Sequence, residues 1–217
     1  MAARDYSGAF SLLQEELLQS PDDPRARYNY AVAAYASGQY ATAIASFEKL
    51  ARAGDFTVEP RARAQLGNSL FRSGEEMQPT NPDGAVAQWE KALAAYRSAP
   101  EMPAAVHNAA KVQTDLLALL RGLAAAKIAE GDEIARLNPE KGVPAWREAM
   151  GRLDQALKLS DSEAEQTAIV ADRTSVTGRI YGAYLTLGSD KHAPGGAAKR
   201  QCPGECHRVD GSGGVGF

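Results

Sequence analysis

The 217-residue chain carries 24 Lys and Arg against 27 Asp and Glu, a formal charge of −3, with only two cysteines and three histidines. Its signs are intermixed and no Lys/Arg-rich run marks a phosphate-collecting face, so nucleic acid is not an expected partner. No apolar stretch approaches the ~20 residues needed to cross a bilayer, and Met1-Ala2-Ala3-Arg4-Asp5 does not open a signal sequence; as written, the chain is expected to be cytoplasmic with no direct membrane insertion.

The first element spans residues 4–21. Ala9, Phe10, Leu13, Leu17 and Leu18 have helical spacing, and Ser20-Pro21-Asp22-Asp23-Pro24 ends the run. Its residues Asp5-Tyr6, Ala9 and Leu13 return 34 positions later as Gln39-Tyr40, Ala43 and Phe47. A fixed period of this length indicates stacked helical repeats. The first full repeat is expected over residues 24–55, with Arg25 to Ser37 as its first helix, Gly38 as the turn and Tyr40 to Ala53 as its second. Tyr30, Ala31, Ala34, Ala43, Phe47 and Leu50 should interlock, because the alanines let two backbones approach while the rings fill the space between turns. A large side chain at Ala43 would overpack the pair.

A second repeat is expected over residues 60–98. Leu66-Gly67-Asn68-Ser69-Leu70-Phe71 lies on its first helix, Gly74 at that helix's end, and Ala85 to Tyr96 on the second. Glu75 to Gly84 between them, with two prolines and a glycine, reads as a loop about six residues longer than a standard turn. A third unit covers residues 103–137, keeping helical spacing through Val112, Leu116, Leu119, Leu120 and Leu123. Gly122 and Gly131 leave open whether it is one helix or two joined tightly. Asn138 to Pro144 reads as a stop, followed by a degenerate helix over 144–159, in which Ala149, Leu153 and Ala156 repeat the spacing of Ala43, Phe47 and Leu50. A capping helix over 162–187 places Ile169, Val176, Ile180, Tyr184 and Leu187 on one side, with Asp172, Arg173, Thr177 and Arg179 on a polar outer face. Residues 189–217 lose periodicity and are expected to form a disordered Gly/Pro-rich tail.

Catalysis needs a nucleophile, a base and an orienting group that converge, and the sequence offers no such set. His107 reads as a groove residue with no acid or nucleophile beside it. Cys202-Pro203-Gly204-Glu205-Cys206-His207 has ligand-type residues, yet a tetrahedral zinc site would need a fourth donor, for which His192 is the nearby candidate. The G-x-G-x-x-G pattern at Gly211 to Gly216 has no strand before it and no room for a helix after it. No cofactor, metal or enzymatic activity is expected.

The residue identities from Asp5 to Asp115 resemble the tetratricopeptide repeat family, with a weaker echo at Ala149 to Asp161. The resemblance implies an all-α, right-handed superhelix of antiparallel helix pairs whose concave face, built from first helices, holds a protein or peptide. Carried over, the groove positions are Arg25, Tyr28, Val32 and Tyr35; Arg61, Ala64, Asn68, Phe71 and Arg72; and His107, Asn108 and Lys111. That lining is aromatic and mildly basic, which favours an acidic partner. Some family members clamp acidic chaperone tails, and Asn68 and Asn108 match the two asparagines of that clamp. Ala64, Ala118 and Gly122 stand where its cations would be, which disfavours chaperone tails.

A looser similarity links Leu66 to Phe71 and Gln88-Trp89-Glu90-Lys91-Ala92-Leu93 to bacterial repeat proteins encoded beside von Willebrand-type membrane proteins of the aerotolerance class. Because Asp5 to Ser20 matches only the second helix of a unit, an upstream segment, a signal or anchor, is expected, with an envelope or periplasmic location if so.

The leading expectation is a non-enzymatic adaptor or scaffold, with Arg25, Arg61, Arg72 and Lys111 meeting acidic residues and Tyr28, Tyr35 and Phe71 acting as anchors. One rival has these rings packing between repeats and the groove filled by the long third helix. Another makes the chain a subunit of a homo-oligomer or envelope complex, joined through exposed Phe10, Leu13 and Leu17.

Overall fold

The computed structural model describes residues 6–55 and 57–190, which form eight helices and no strand. In order they are α1 (Tyr6–Gln19), α2 (Pro24–Ala36), α3 (Tyr40–Ala51), α4 (Glu59–Met77), α5 (Pro82–Arg97), α6 (Pro103–Ala135), α7 (Pro139–Leu159) and α8 (Glu163–Asp190). Each helix packs on the next, and α4 also touches α2 and α6. The result is an all-helical repeat solenoid.

Local chemistry sets the helix starts. Asp23, Asn81 and Asn138 each precede a proline at the first helical position, and each accepts a backbone N–H from the first turn: Arg25 at 2.9 Å, Gly84 at 2.9 Å and Glu140 at 3.1 Å. Such a cap satisfies an orphan donor, and the proline has no N–H to leave unpaired. Gly38 turns α2 into α3 with φ of 79°, a conformation glycine adopts without a Cβ penalty.

The apolar residues divide into two cores. Ala31, Ala34, Ala43, Phe47, Leu50 and Ala62 form the N-terminal one, and a larger cluster runs from Leu70 to Ala183. Tyr30 does not interlock with α3; it is half-buried and stacks on Phe10 of α1, centroids 5.0 Å apart. That contact also half-covers Phe10, and Leu13 and Leu17 are likewise half-buried. The most exposed large apolar side chains of α1 are Leu12 and Leu18, 69% and 75% accessible, rather than the expected stripe.

Three further expectations are corrected. Glu75, Glu76 and Met77 extend α4, so Glu75 to Gly84 is not a ten-residue loop; only residues 78–81 separate α4 from α5. Gly74 is a buried helix-interior position rather than a terminus, lying so close to the Trp89 ring that no side chain fits. The second stop shrinks likewise, because α7 begins at Pro139 and carries Pro144 within its early turns. Residues 103–135 form one helix of 33 residues, which decides the alternative left open at Gly122 and Gly131.

The polar residues of α8 are not an outer face. Arg179 Nε bonds Asp132 at 2.8 Å, Arg173 Nε meets Asp154 at 2.7 Å, Asp172 meets Arg121 at 3.2 Å, and the Thr177 hydroxyl faces the Met150 sulfur at 3.8 Å. Ile169 and Val176 are buried as expected, whereas Tyr184 is exposed and accepts from Arg147 at 3.0 Å. Outward-facing positions include Tyr181 and Leu185, 66% and 71% accessible. The side chain of Leu187 lies outside the described residues.

A second internal echo emerges from the packing. Gly74-Glu75-Glu76, Asn81-Pro82, Val86, Trp89 and Ala92 recur 57 positions later as Gly131-Asp132-Glu133, Asn138-Pro139, Val143, Trp146 and Ala149. In both copies a Cβ on the first glycine would fall within 2.4–2.5 Å of the tryptophan ring. The α4–α5–α6 unit is thus repeated as α6–α7–α8, and α6 serves both.

Gly74→Ala should therefore destabilise the protein, because overpacking costs about 1–3 kcal/mol against a helix-propensity gain of about 1 kcal/mol. Gly178→Ala, where a Cβ meets nothing within 4 Å, should instead stabilise by about 0.5–1 kcal/mol. Urea midpoints of the two variants are expected to move in opposite directions, and shifts of the same sign would refute the packing account.

Candidate functional site

The face shared by α2, α4 and α6 carries three cavities. The first, about 490 Å³, is lined by Arg25, Tyr28 and Asn29 of α2 and by Thr57, Val58 and Arg61. The second, about 330 Å³, lies between Tyr35 of α2, Asn68, Phe71, Arg72 and Glu75 of α4, and Asn108 and Lys111 of α6, with Tyr96 among its walls. A third of about 630 Å³ continues along α6 past Lys111, Asp115, Ala118 and Gly122, bounded opposite by Phe71, Glu75 and Trp89. Phe71, Glu75 and Lys111 line both of the last two, which form one groove.

Six of the twelve groove residues expected from the sequence, Tyr35, Asn68, Phe71, Arg72, Asn108 and Lys111, meet in the second cavity. Arg25, Tyr28 and Arg61 gather in the first. Val32 and His107 are both exposed but line none of the three, and Ala64 packs against the core. The cysteines Cys202 and Cys206 and the histidines His192 and His207 lie outside the described residues.

Each aromatic anchor is braced by a ring from the second helix of its own pair. Tyr28 meets Phe47 edge-on at 5.7 Å, Tyr35 meets Tyr40 at 5.7 Å, and Phe71 stacks on Trp89 at 5.5 Å. Trp89 is itself fixed, its indole N–H donating to the Phe71 carbonyl at 3.1 Å. Packing and lining are therefore not alternatives for these rings, since one side of each packs while the other borders a cavity. The long α6 forms a wall of the groove and leaves these volumes open.

The polar floor is centred on Asn68. Its Oδ1 accepts from the Tyr96 hydroxyl at 2.6 Å and from Asn108 Nδ2 at 3.1 Å, while its own Nδ2 donates to Gln65 at 2.9 Å. The two asparagines thus bond one another. Burial pushes the Tyr96 hydroxyl well above its ordinary range, so it remains a donor.

Electrostatics correct the expected mildly basic lining of the central groove. Arg72 Nη1 pairs with Glu75 at 2.8 Å, and Lys111 Nζ pairs with Asp115 at 2.8 Å while lying 4.5 Å from the Phe71 centroid. The Tyr35 oxygen, and then Glu75, hold the Arg72 guanidinium above its usual range. Both cations are already matched by carboxylates that the sequence reading omitted. Basic character persists in the first cavity, where Arg25 and Arg61 form no ion pair with the described residues. Close by, hydrogen bonds from the Thr57 side chain and backbone lower the Asp55 carboxyl, with Arg25 adding a smaller pull.

The helix pairs, the glycine turn at Gly38 and the alanine-lined contacts of α2 and α3 come with one match to a known family. Residues 1–66 match a tetratricopeptide repeat model. The matched segment includes α1, α2, α3 and the start of α4, and it supplies the first cavity and the Tyr35 wall of the second. No curated protein matches the chain. The narrower similarity to repeat proteins of the aerotolerance class gains no support from these comparisons. Among the described residues, no helix is long and apolar enough to cross a membrane, and no group of three or more His, Cys, Asp or Glu is placed to hold a metal.

Proposed function

We propose that the protein is a non-enzymatic adaptor that holds a segment of a protein partner along the face of α2, α4 and α6. Tetratricopeptide repeats are generally interaction modules, and the match over residues 1–66 supports that coarse reading. The finer one rests on a difference between the two equivalent units. In the α4–α5–α6 unit the first-helix face is polar and open, with Asn68, Phe71, Arg72 and Tyr96 bordering a cavity. Their counterparts 57 positions later are Ala125, Ile128, Ala129 and Leu153, so the polar site is not repeated.

Anchors braced from behind lose little conformational freedom on binding, and truncating such rings at interfaces commonly costs about 2 kcal/mol or more. The Tyr35→Ala, Phe71→Ala double variant should therefore weaken partner capture by about thirtyfold or more. Affinity capture from a lysate with mass spectrometry, alongside a helix content matching the parent chain, checks this. Retention of every partner by the folded variant would overturn the groove assignment. Arg25 and Arg61 are the positions where acidic residues of the partner would dock, and their replacement should reduce association rate and salt dependence more than affinity.

A further inference from the structure

The two equivalent units differ in a second way that identifies what the larger cavity takes. In the α6–α7–α8 unit, Asp132 Oδ1 accepts from the Trp146 indole N–H at 3.0 Å and from Arg179 Nε at 2.8 Å. Fifty-seven positions earlier, Asp132 corresponds to Glu75, Trp146 to Trp89 and Arg179 to Gly122. Those three counterparts line the cavity of about 630 Å³. A Cβ built on Gly122 meets nothing within 4 Å, so the space that an arginine stem would cross is open.

Glu75 and Asp115 line this cavity with Lys111, and Arg72, which borders the adjoining part of the groove, pairs with Glu75. Arg72 engages one oxygen of Glu75 and Lys111 one oxygen of Asp115, and the second oxygen of each has no partner among the described residues. Phe71 is half-buried at the same cavity, with Trp89 stacked on its ring and Lys111 Nζ 4.5 Å from its centroid. A planar guanidinium suits such a site, because its edges donate to the free carboxylate oxygens.

We propose that this cavity receives an arginine side chain from the partner segment, in the place that Arg179 fills in the second unit. The inference rests on the groove reading above and specifies the chemistry that groove selects.

A library of random peptides displayed on phage and selected against the full chain tests it. Selected peptides whose binding requires Tyr35 and Phe71 should carry an arginine, and replacing that arginine by citrulline should cost about tenfold or more in affinity. Gly122→Arg, which supplies the guanidinium from the chain itself, should exclude these peptides, while Gly122→Ala should still bind them. Should Gly122→Arg fail to fold, Glu75→Gln decides, with a similar loss expected. Groove-dependent peptides that lack arginine, tolerate citrulline or bind Gly122→Arg or Glu75→Gln undiminished would overturn the arginine assignment and leave the groove standing. Absence of any peptide that depends on Tyr35 and Phe71 would remove the groove reading, and this inference with it.

Discussion

Trp146→Ala should lower stability by about 4 kcal/mol, roughly 10 °C in melting temperature for a chain of this length. The indole is 4% exposed and fills the gap above Gly131 and Gly142, where neither neighbour has a side chain to relax into the vacated volume. Its loss also removes one of the two donors to Asp132 that join α6, α7 and α8. Trp146→Phe, which keeps most of the volume but not the N–H, should cost less than half as much. Calorimetry showing a drop of only a degree or two for the alanine variant would mean that this three-helix junction collapses readily and that the tryptophan is not its keystone.

Phe47→Ala should cost a similar amount, about 3–5 kcal/mol, but at a different place. Phe47 is fully buried in the N-terminal core and also backs Tyr28. Stability in a solenoid is close to a sum over units and their interfaces, so damage stays near its origin. Hydrogen exchange should accelerate in α1, α2 and α3 while α6 and α7 keep their protection. The Trp146 variant should show the reverse pattern, and uniform loss of protection in both would contradict the division into two cores. Because α3 braces Tyr28 and Tyr35, the Phe47 variant should also blunt the first cavity.

Much of this architecture was legible in the residues. Small alanines at fixed offsets, Gly38 and the Asp23-Pro24 start each act within a turn or two of chain and are readable as helices and breaks, whereas Asn81-Pro82 and Asn138-Pro139, which open α5 and α7, read as loop and stop. Six groove residues converge on one cavity because first helices stack in a regular way. What escaped depended on partners distant in sequence. Gly74 looked like a terminator because glycine lowers helix propensity, whereas the Trp89 ring, 15 positions on, is what excludes a side chain there. Glu75 was assigned to a loop for the same reason and was therefore missed as the counter-ion of Arg72. The 57-residue echo lies beneath the 34-residue period, and the Gly-acid-acid and Asn-Pro signatures preceding each tryptophan carry it.

The double duty of α6 has a mechanical consequence. At 33 residues it is a rod about 50 Å long, and no linker interrupts it between the groove at its first half and the α7–α8 layer at its second. On the proposed groove reading, a partner held at Lys111 and Asp115 would sit at a set bearing and distance from the outward side of α8, where Tyr181 and Leu185 stand. The chain would then act as a jig, presenting what docks at one end to the other in a single orientation along one unbroken helix.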